Sequence, residues 1–218
     1  KYFYGIPTIS YHAIPADLYR LYIKNFLEKI FSFCILLIAS PCLVLFCFLI
    51  RLNSRGNIFF KQERIGLHGR KFHAIKFRTM IYDAEIKKNQ LINLNELDGP
   101  AFKINDDPRI TYIGRFLRKY SLDELPQLWN VIKGEMNLIG PRPLPVEEVE
   151  NINNVSYLRR HSMKPGITGL WQVNGRNNIK QFEDWVKLDL EYIDNWSLWL
   201  DFKIAIKTIP AIIKGTGK

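Results

Sequence analysis

Cysteine is scarce in this sequence, with three among 218 residues, and all three (Cys34, Cys42 and Cys47) fall inside one apolar run. No CxxC spacing and no neighbouring histidine accompanies them. That excludes a disulfide framework and a thiolate zinc site, and leaves packing or lipid-facing thiols of a reducing compartment. The four histidines, His12, His68, His73 and His161, are scattered, and no HExxH occurs, so no zinc hydrolase of that kind is indicated. Neither GxxxxGK(S/T) nor GxGxxG is present, and the closing Gly215-Thr216-Gly217-Lys218 lacks phosphate-loop spacing. Acidic residues are in deficit, 21 against 31 basic ones, for a formal charge of +10. Such an excess points to an anionic partner: nucleic acid, an anionic membrane surface or a phosphorylated substrate. With 47% hydrophobic and 24% charged residues, and 13 glycines in no periodic array, the chain is neither disordered nor fibrous. Its length suits one domain with a sizeable core.

Residues 30–50 read IFSFCILLIASPCLVLFCFLI, 21 residues without a charge. As a straight helix rising about 1.5 Å per residue this run would cover roughly 30 Å, enough to cross a bilayer. Two features oppose a simple span. Pro41 removes a backbone donor in mid-run, where Ser40 can satisfy a freed carbonyl through its hydroxyl. Basic residues also flank both ends, Lys24 and Lys29 before the run and Arg51, Arg55, Lys61 and Arg64 after it. A helix that enters, breaks at Ser40-Pro41 and returns keeps both flanks on the cytoplasmic side. The re-entrant hairpin at about residues 28–51 is the favoured expectation, and a proline-kinked spanning helix is the alternative.

Residues 1–16 have the look of an extended end of a preceding module or linker, and 17–218 of the main domain. Asp17 can cap an amphipathic helix through Leu18, Leu21, Tyr22 and Phe26. Residues 57–80 predict a β-hairpin turning over Gly66-Leu67-His68-Gly69, with Lys76 and Arg78 on one face of its second strand. Helical signals follow at YIGRFLRKY after the Asp107-Pro108 turn, at 121–133 up to Gly134, in a polar segment after GPRPLP, and at about 179–192 after a turn at Lys164-Pro165-Gly166. The tail SLWLDFKIAIKTIPAIIK places Lys203, Lys207 and Lys214 on a stripe flanked by Trp196 and Trp199, as in a helix at a headgroup layer; a core-packed terminal helix is the alternative.

Four features invite chemistry. Ser121-Leu122-Asp123-Glu124 reads as a capping box, or as an acidic pair near a positive helix end that keeps Asp123 ionised for use as a nucleophile or metal ligand. Adjacent carboxylates cannot flank a glycosidic bond, which disfavours glycoside hydrolysis. In Gly140-Pro141-Arg142-Pro143 the prolines carry a guanidinium on a stiff mount suited to phosphate, or simply make a rigid turn. Asp189 shares the apolar helix face of Phe182, Trp185, Val186 and Ile193, where a carboxylate needs a salt-bridge partner, a metal or a catalytic role. The stretch 166–176, with Trp171, Gln172 and Arg176, would suit a nucleotide or an ordinary loop.

An apolar run broken at Ser40-Pro41, then KFRTM (76–80), DPRIT (107–111), SLDELPQLWNVIKGEMNLIGPRP (121–143) and KPGITGLWQVNGRN (164–177), in that order, resembles the bacterial sugar transferase family, the monotopic phosphoglycosyl transferases. The likeness covers about residues 27–214. It implies transfer of a sugar 1-phosphate from a UDP-sugar to polyprenyl (undecaprenyl) phosphate with release of UMP, the first step of exopolysaccharide or O-antigen synthesis. The expected setting is the cytoplasmic face of a bacterial inner membrane, with Mg²⁺ and a ping-pong course. By the same likeness Asp123 is the nucleophile and Glu124 helps hold the metal and phosphates. Lys76, Arg78, Arg115 and Arg142 become phosphate contacts, Asp189 an active-site acid, and Gln172 and Arg176 nucleotide-side residues. Larger members tend to dimerise, and no nucleic-acid partner is implied. One departure is visible: where members usually carry an Asp after the first basic residue of the membrane helix, this chain has Ser32 after Lys29. The expected fold is α/β but mostly helical: a re-entrant membrane hairpin plus a small globular catalytic domain with a short β-hairpin, interfacial amphipathic helices and no large sheet. A different class, a basic membrane-anchored nucleic-acid or scaffold protein, predicts indifference to Asp123 and salt-sensitive polynucleotide binding.

Overall fold

The computed structural model describes residues 2–3, 6–7, 18–88, 90–91, 95, 104, 106–152, 154–174 and 181–215. Most of the 1–16 segment, Asp17 and Arg176 lie outside them. Tyr2–Phe3 (β1) pairs antiparallel with Ile6–Pro7 (β2). One helix, α1, then runs from Leu18–Asn53.

The apolar run is therefore one uninterrupted helix, not two helices separated at Ser40-Pro41. Pro41 withholds the N–H that would bond the Leu37 carbonyl, and Ser40 Oγ donates to that oxygen instead at 2.8 Å, so the ladder survives. Both ends of α1 pack on the same globular body. Near its start, Lys24 Nζ donates to the Ile139 carbonyl (2.9 Å), Glu28 Oε1 (2.7 Å) and Asp201 Oδ2 (2.8 Å). Glu28 in turn accepts from the amides of Leu138 and Ile139. Near its finish, Ile50 is buried with Phe77 and Leu117. Lys24 thus belongs to the interior and not to the basic flank. An ion pair does anchor the helix, from Lys24 to Asp201, with Glu28 bracing Lys24 from within the helix; Ser32, one turn beyond Glu28, is fully buried. The stripe Leu18, Tyr22, Phe26 faces outward, as do Phe33, Leu37, Ile38, Val44 and Phe48.

The β-hairpin forms as expected from Phe59–Ile65 (β3) and Lys71–Phe77 (β4), paired Phe59↔Phe77 through Ile65↔Lys71. A short α2 (Ala84–Lys88) precedes α3 (Tyr112–Lys119), whose N-cap Thr111 accepts from the Gly114 amide at 3.0 Å. A 3-10 turn over Leu122–Gln127 leads into α4 (Leu128–Lys133), which ends at Gly134 in the left-handed conformation (φ 82°). Next come β5 (Asn137–Ile139), α5 (Val146–Glu150), a 3-10 segment Val155–Ser162 and β6 (Gly166–Thr168). The expected turn at 164–166 is instead the start of β6, which pairs in parallel with β5. Helices α6 (Leu170–Val173), α7 (Phe182–Asp194) and α8 (Leu198–Ile213) complete the chain. Each sheet has two strands.

On α8, Asp201 and Ile204 turn inward, while Trp199, Phe202, Ile206, Ile209 and Ile213 are exposed beside Lys203 and Lys207. Lys203 Nζ lies 5.4 Å from the Trp199 ring centroid. One stripe of α8 is core, and the rest is the surface expected at a headgroup layer.

Candidate active site

The Asp123-Glu124 pair sits in the 3-10 turn between α3 and α4. Ser121 does not cap it: its backbone is left-handed (φ 54°, ψ 23°) and its side chain makes no cap bond, which removes the capping-box explanation. The turn presses both acids inward to 8% and 7% exposure, a burial that only a charge-compensated site tolerates. Asn130 of α4 holds the turn against the hairpin. Its Nδ2 donates to the His73 carbonyl at 2.8 Å and its Oδ1 accepts from the Ile75 amide at 3.1 Å, so Lys76 is set opposite the dyad.

Lys76 Nζ donates to Glu124 Oε1 at 2.6 Å, and Arg142 Nη1 stands 3.7 Å from the same oxygen. Burial pulls the Lys76 ammonium down to about 8 against the opposing pull of Glu124. Arg64 adds a third cation, lowered to about 10 by burial and by Arg142, with Glu124 and Asp123 acting against that shift. Arg118 adds a fourth, lowered by burial while Asp123 holds it up, and its Nε donates to Thr79 Oγ1 at 2.8 Å. Two carboxylates among four buried or half-buried cations make a strongly anion-seeking cluster.

Arg142 is mounted by more than its prolines. Its carbonyl accepts from Arg160 Nη2 at 2.9 Å and its amide donates to the Asp189 carboxylate. The next carbonyl, of Pro143, accepts from Arg64 Nη1 at 2.8 Å. Arg160 and Asp189 are themselves a buried ion pair, each 1% exposed. The partner that Asp189 needs on its apolar face is thus Arg160, and burial raises the Asp189 carboxyl to about 6 despite that arginine. The Arg142 guanidinium lies 5.5 Å from the Trp171 ring centroid, and Trp171 leans on Trp185 at 4.3 Å.

Of the expected site residues, Asp123, Glu124, Lys76 and Arg142 come together, and Asp189 stands behind Arg142. Arg78 diverges from Lys76: its Nη2 donates to the Ser54 carbonyl (2.7 Å) and hydroxyl (2.8 Å), at the end of α1. Arg115 is exposed on α3. Gln172 donates to the Ile167 carbonyl at 3.3 Å, and its buried Oε1 has no hydrogen-bond partner among the described residues. Sequence gives no site role to Arg118 or Arg160, and Arg64, expected as a basic flank of the apolar run, is instead buried beside the site with its guanidinium on the Pro143 carbonyl. Helical spacing was the available signal for Arg118, since it shares the inward face of Gly114 and Leu117 while Arg115 does not.

The family profile described as bacterial sugar transferase matches residues 19–215. The chain belongs to the bacterial sugar transferase family. It is 46% identical over 215 residues to a galactosyl transferase, CpsE, of Streptococcus agalactiae, covering 99% of this chain and 47% of that one. Against the exopolysaccharide production protein ExoY of Rhizobium meliloti it is 41% identical over 188 residues, covering 84% and 81%. Against the UDP-glucose:undecaprenyl-phosphate glucose-1-phosphate transferase of Escherichia coli it is 35% identical over 211 residues, covering 94% and 43%. The chain spans about half the length of several curated relatives it matches, CpsE among them. As a bacterial sugar transferase it carries its acidic pair near the start of the longest motif that marks the resemblance, with Arg142 near the end of the same motif.

The family association with Mg²⁺ can be tested on the donor set. Among the described residues no three His, Cys, Asp or Glu side chains converge as a protein-only metal cage. Mg²⁺ does not require one: one or two carboxylates suffice where substrate phosphates and waters complete the octahedron. Asp123 and Glu124 provide that number of hard oxygen donors, so the residues present fit.

Proposed function

We propose that this chain transfers a sugar 1-phosphate from a UDP-sugar to polyprenyl phosphate at a membrane surface, releasing UMP, through a covalent intermediate on Asp123. The single observation carrying this reading is the buried Asp123-Glu124 pair facing Lys76 and Arg142. In the first step an Asp123 carboxylate oxygen bonds the sugar-bearing phosphorus while the bond from that phosphorus to the bridging oxygen breaks, and UMP departs with the bridging oxygen and its electron pair. In the second, a phosphate oxygen of the lipid attacks the same phosphorus. The acyl phosphate bond breaks, the carboxylate is restored, and a polyprenyl diphosphate sugar leaves. Two in-line displacements replace one between two anions.

Glu124, braced by Lys76, keeps its carboxylate turned to the site beside the nucleophile. Arg142, Arg64 and Arg118 surround the region where phosphoryl oxygens gather charge, in a setting with little water to reorganise. Asp123 and Glu124 would hold Mg²⁺, which when bound supplies charge neutralisation to the diphosphate. Arg78, Arg115, Gln172 and Arg176 remain proposed substrate contacts. The re-entrant course of α1 belongs to the same reading. A helix whose two ends both pack on the water-facing body has no end free to cross, and its outward apolar residues then lie among the acyl chains of one leaflet, beneath the lipid phosphates.

The test is labelling. Enzyme incubated with UDP-sugar carrying ³²P in the sugar-linked phosphate, without lipid acceptor, should retain label, and Asp123→Asn should retain none while still floating with vesicles. Absence of label on an enzyme that turns over normally with acceptor removes the covalent step. Full turnover by Asp123→Asn removes the whole assignment.

A further inference from the structure

The positive excess is not confined to the dyad. Lys29 lies on α1 immediately before the apolar run, and Lys164 lies at the head of β6; the C-cap glycine of α4, Gly134, stands between them. A Cβ placed on Gly134 would meet Lys29 Nζ at 3.4 Å and Lys164 Nζ at 3.7 Å. The two ammonium nitrogens therefore lie within about 7 Å of each other, a span across which one phosphate accepts a charge-assisted hydrogen bond from each.

Among the described residues neither ammonium has an ion pair or hydrogen bond. The acid acting on Lys164 is Glu28, which is already engaged by Lys24 Nζ at 2.7 Å and by the Leu138 and Ile139 amides at 3.0 and 3.3 Å. Burial and the neighbouring Lys29 both hold Lys164 below its ordinary range. Two converging lysines whose one nearby acid is already bonded by Lys24 and two amides suit an anion held between them.

We propose that Lys29 and Lys164 bind the phosphate of an anionic phospholipid headgroup where α1 enters the bilayer. Depth favours a lipid: Phe26, Ile30 and Phe33 are exposed around Lys29 and place it at the boundary between headgroup and acyl chain. The reacting polyprenyl phosphate is a poorer occupant, because its phosphate must reach Asp123. The charges acting on Lys164 are Lys29 and Glu28, whereas those on Lys76 at the dyad are Glu124, Arg64, Arg142 and Asp123, and the two sets share no member.

The protein is reconstituted in nanodiscs of mixed phosphatidylcholine and phosphatidylglycerol, released into mild detergent, and the phospholipid it retains is counted by native mass spectrometry. Wild type should retain phosphatidylglycerol selectively. Lys29→Gln and Lys164→Gln should each lower that retention about fivefold and the double variant more than tenfold, with unchanged circular dichroism. Lys203→Gln with Lys207→Gln, which removes two exposed charges from α8, should leave it intact. Because Lys29 is exposed, its single variant tests the site even if the double variant unfolds. Unchanged retention in Lys29→Gln and Lys164→Gln overturns the proposal, as does equal loss in the α8 control. Stoichiometric displacement of the bound phospholipid by polyprenyl phosphate also overturns it and assigns the lysines to the acceptor.

Discussion

Arg160 grips Arg142 by its backbone: Nη2 donates to the Arg142 carbonyl at 2.9 Å, while the Asp189 carboxylate paired with Arg160 accepts the Arg142 amide. The guanidinium that reaches toward Glu124 is thus oriented from behind by a fully buried ion pair. Asp189→Asn should lower kcat for UMP release roughly tenfold to a hundredfold with little change in KM for the nucleotide, a misplacement effect. It should also cost about 1–3 kcal/mol of stability, because the carboxylate accepts from both Arg160 and the Arg142 amide and a carboxamide offers one acceptor oxygen beside a misplaced donor. Adding Arg160→Gln should recover much of the stability and none of the rate. Thermal melts and steady-state kinetics on the three variants check this, and parallel recovery of both would make the pair structural only.

The pH profile follows from two shifted groups. Asp189, raised to about 6 by burial, loses its charge below that pH, and Lys76, lowered to about 8 by burial, loses its charge above that one. UMP release should therefore be bell-shaped, with limbs near 6 and 8. Stability moves differently. Between about 4 and 6 the folded chain holds the Asp189 proton more tightly than the unfolded chain, so this contribution is full below that window and is lost as pH rises through it. Between about 8 and 10.5 the unfolded chain holds the Lys76 proton more tightly, so stability from this group rises with pH while activity falls. Rates and melts over pH 5–10 separate the two, and a basic limb that tracks unfolding would refute the Lys76 assignment.

Gly114 lets α3 approach Thr79: a Cβ there would lie 2.0 Å from the Thr79 carbonyl oxygen, an atom of rigid backbone. Gly114→Ala should destabilise by about 2–3 kcal/mol, or about 4–12 °C in Tm for a chain of this size. It should also weaken the Arg118–Thr79 contact and so lower activity at temperatures where the protein is still folded. An unchanged melt would mean that α3 shifts freely.

Much of this architecture is legible in the sequence because it rests on local signals. The hairpin around Gly66–Gly69, the α4 stop at Gly134 and the exposed lysines of α8 follow turn chemistry and helical period. The dyad and Arg142 are legible through motif resemblance. What stays hidden is long-range. Parallel pairing of β5 with β6 involves strands of three residues each, too short for alternation to register, and Lys164-Pro165-Gly166 carries a turn signal that the pairing overrides. Arg64 and Arg160 look like surface charges until folding brings the Pro143 and Arg142 carbonyls to them, across 79 and 18 residues. Lys24 reads as a membrane flank for the same reason, since its acid Asp201 is 177 residues away.

That distant pair makes the topology of α1 testable. Residues 24 and 50 are separated by roughly 39 Å of helix axis at about 1.5 Å per residue, yet Lys24 is tied to β5 and α8 and Ile50 is packed with Phe77 and Leu117 of the same body. A spanning helix would have to free one of these ends. Freeing the first would part Lys24 from Asp201 and Glu28 from the Leu138 and Ile139 amides, which costs about 3–5 kcal/mol for a broken buried pair; freeing the second would expose the cluster around Ile50. With Cys34, Cys42 and Cys47 replaced by Ser or Ala, single cysteines at the exposed positions Leu18 and Leu52 should both be shielded from an impermeant thiol reagent in intact cells and both react after the membrane is opened. Labelling of only one in intact cells would mean that α1 crosses the bilayer. Lys24→Met should lower the melting temperature while leaving both cysteines on one side, because the Ile50 packing still holds the far end of the helix to the body.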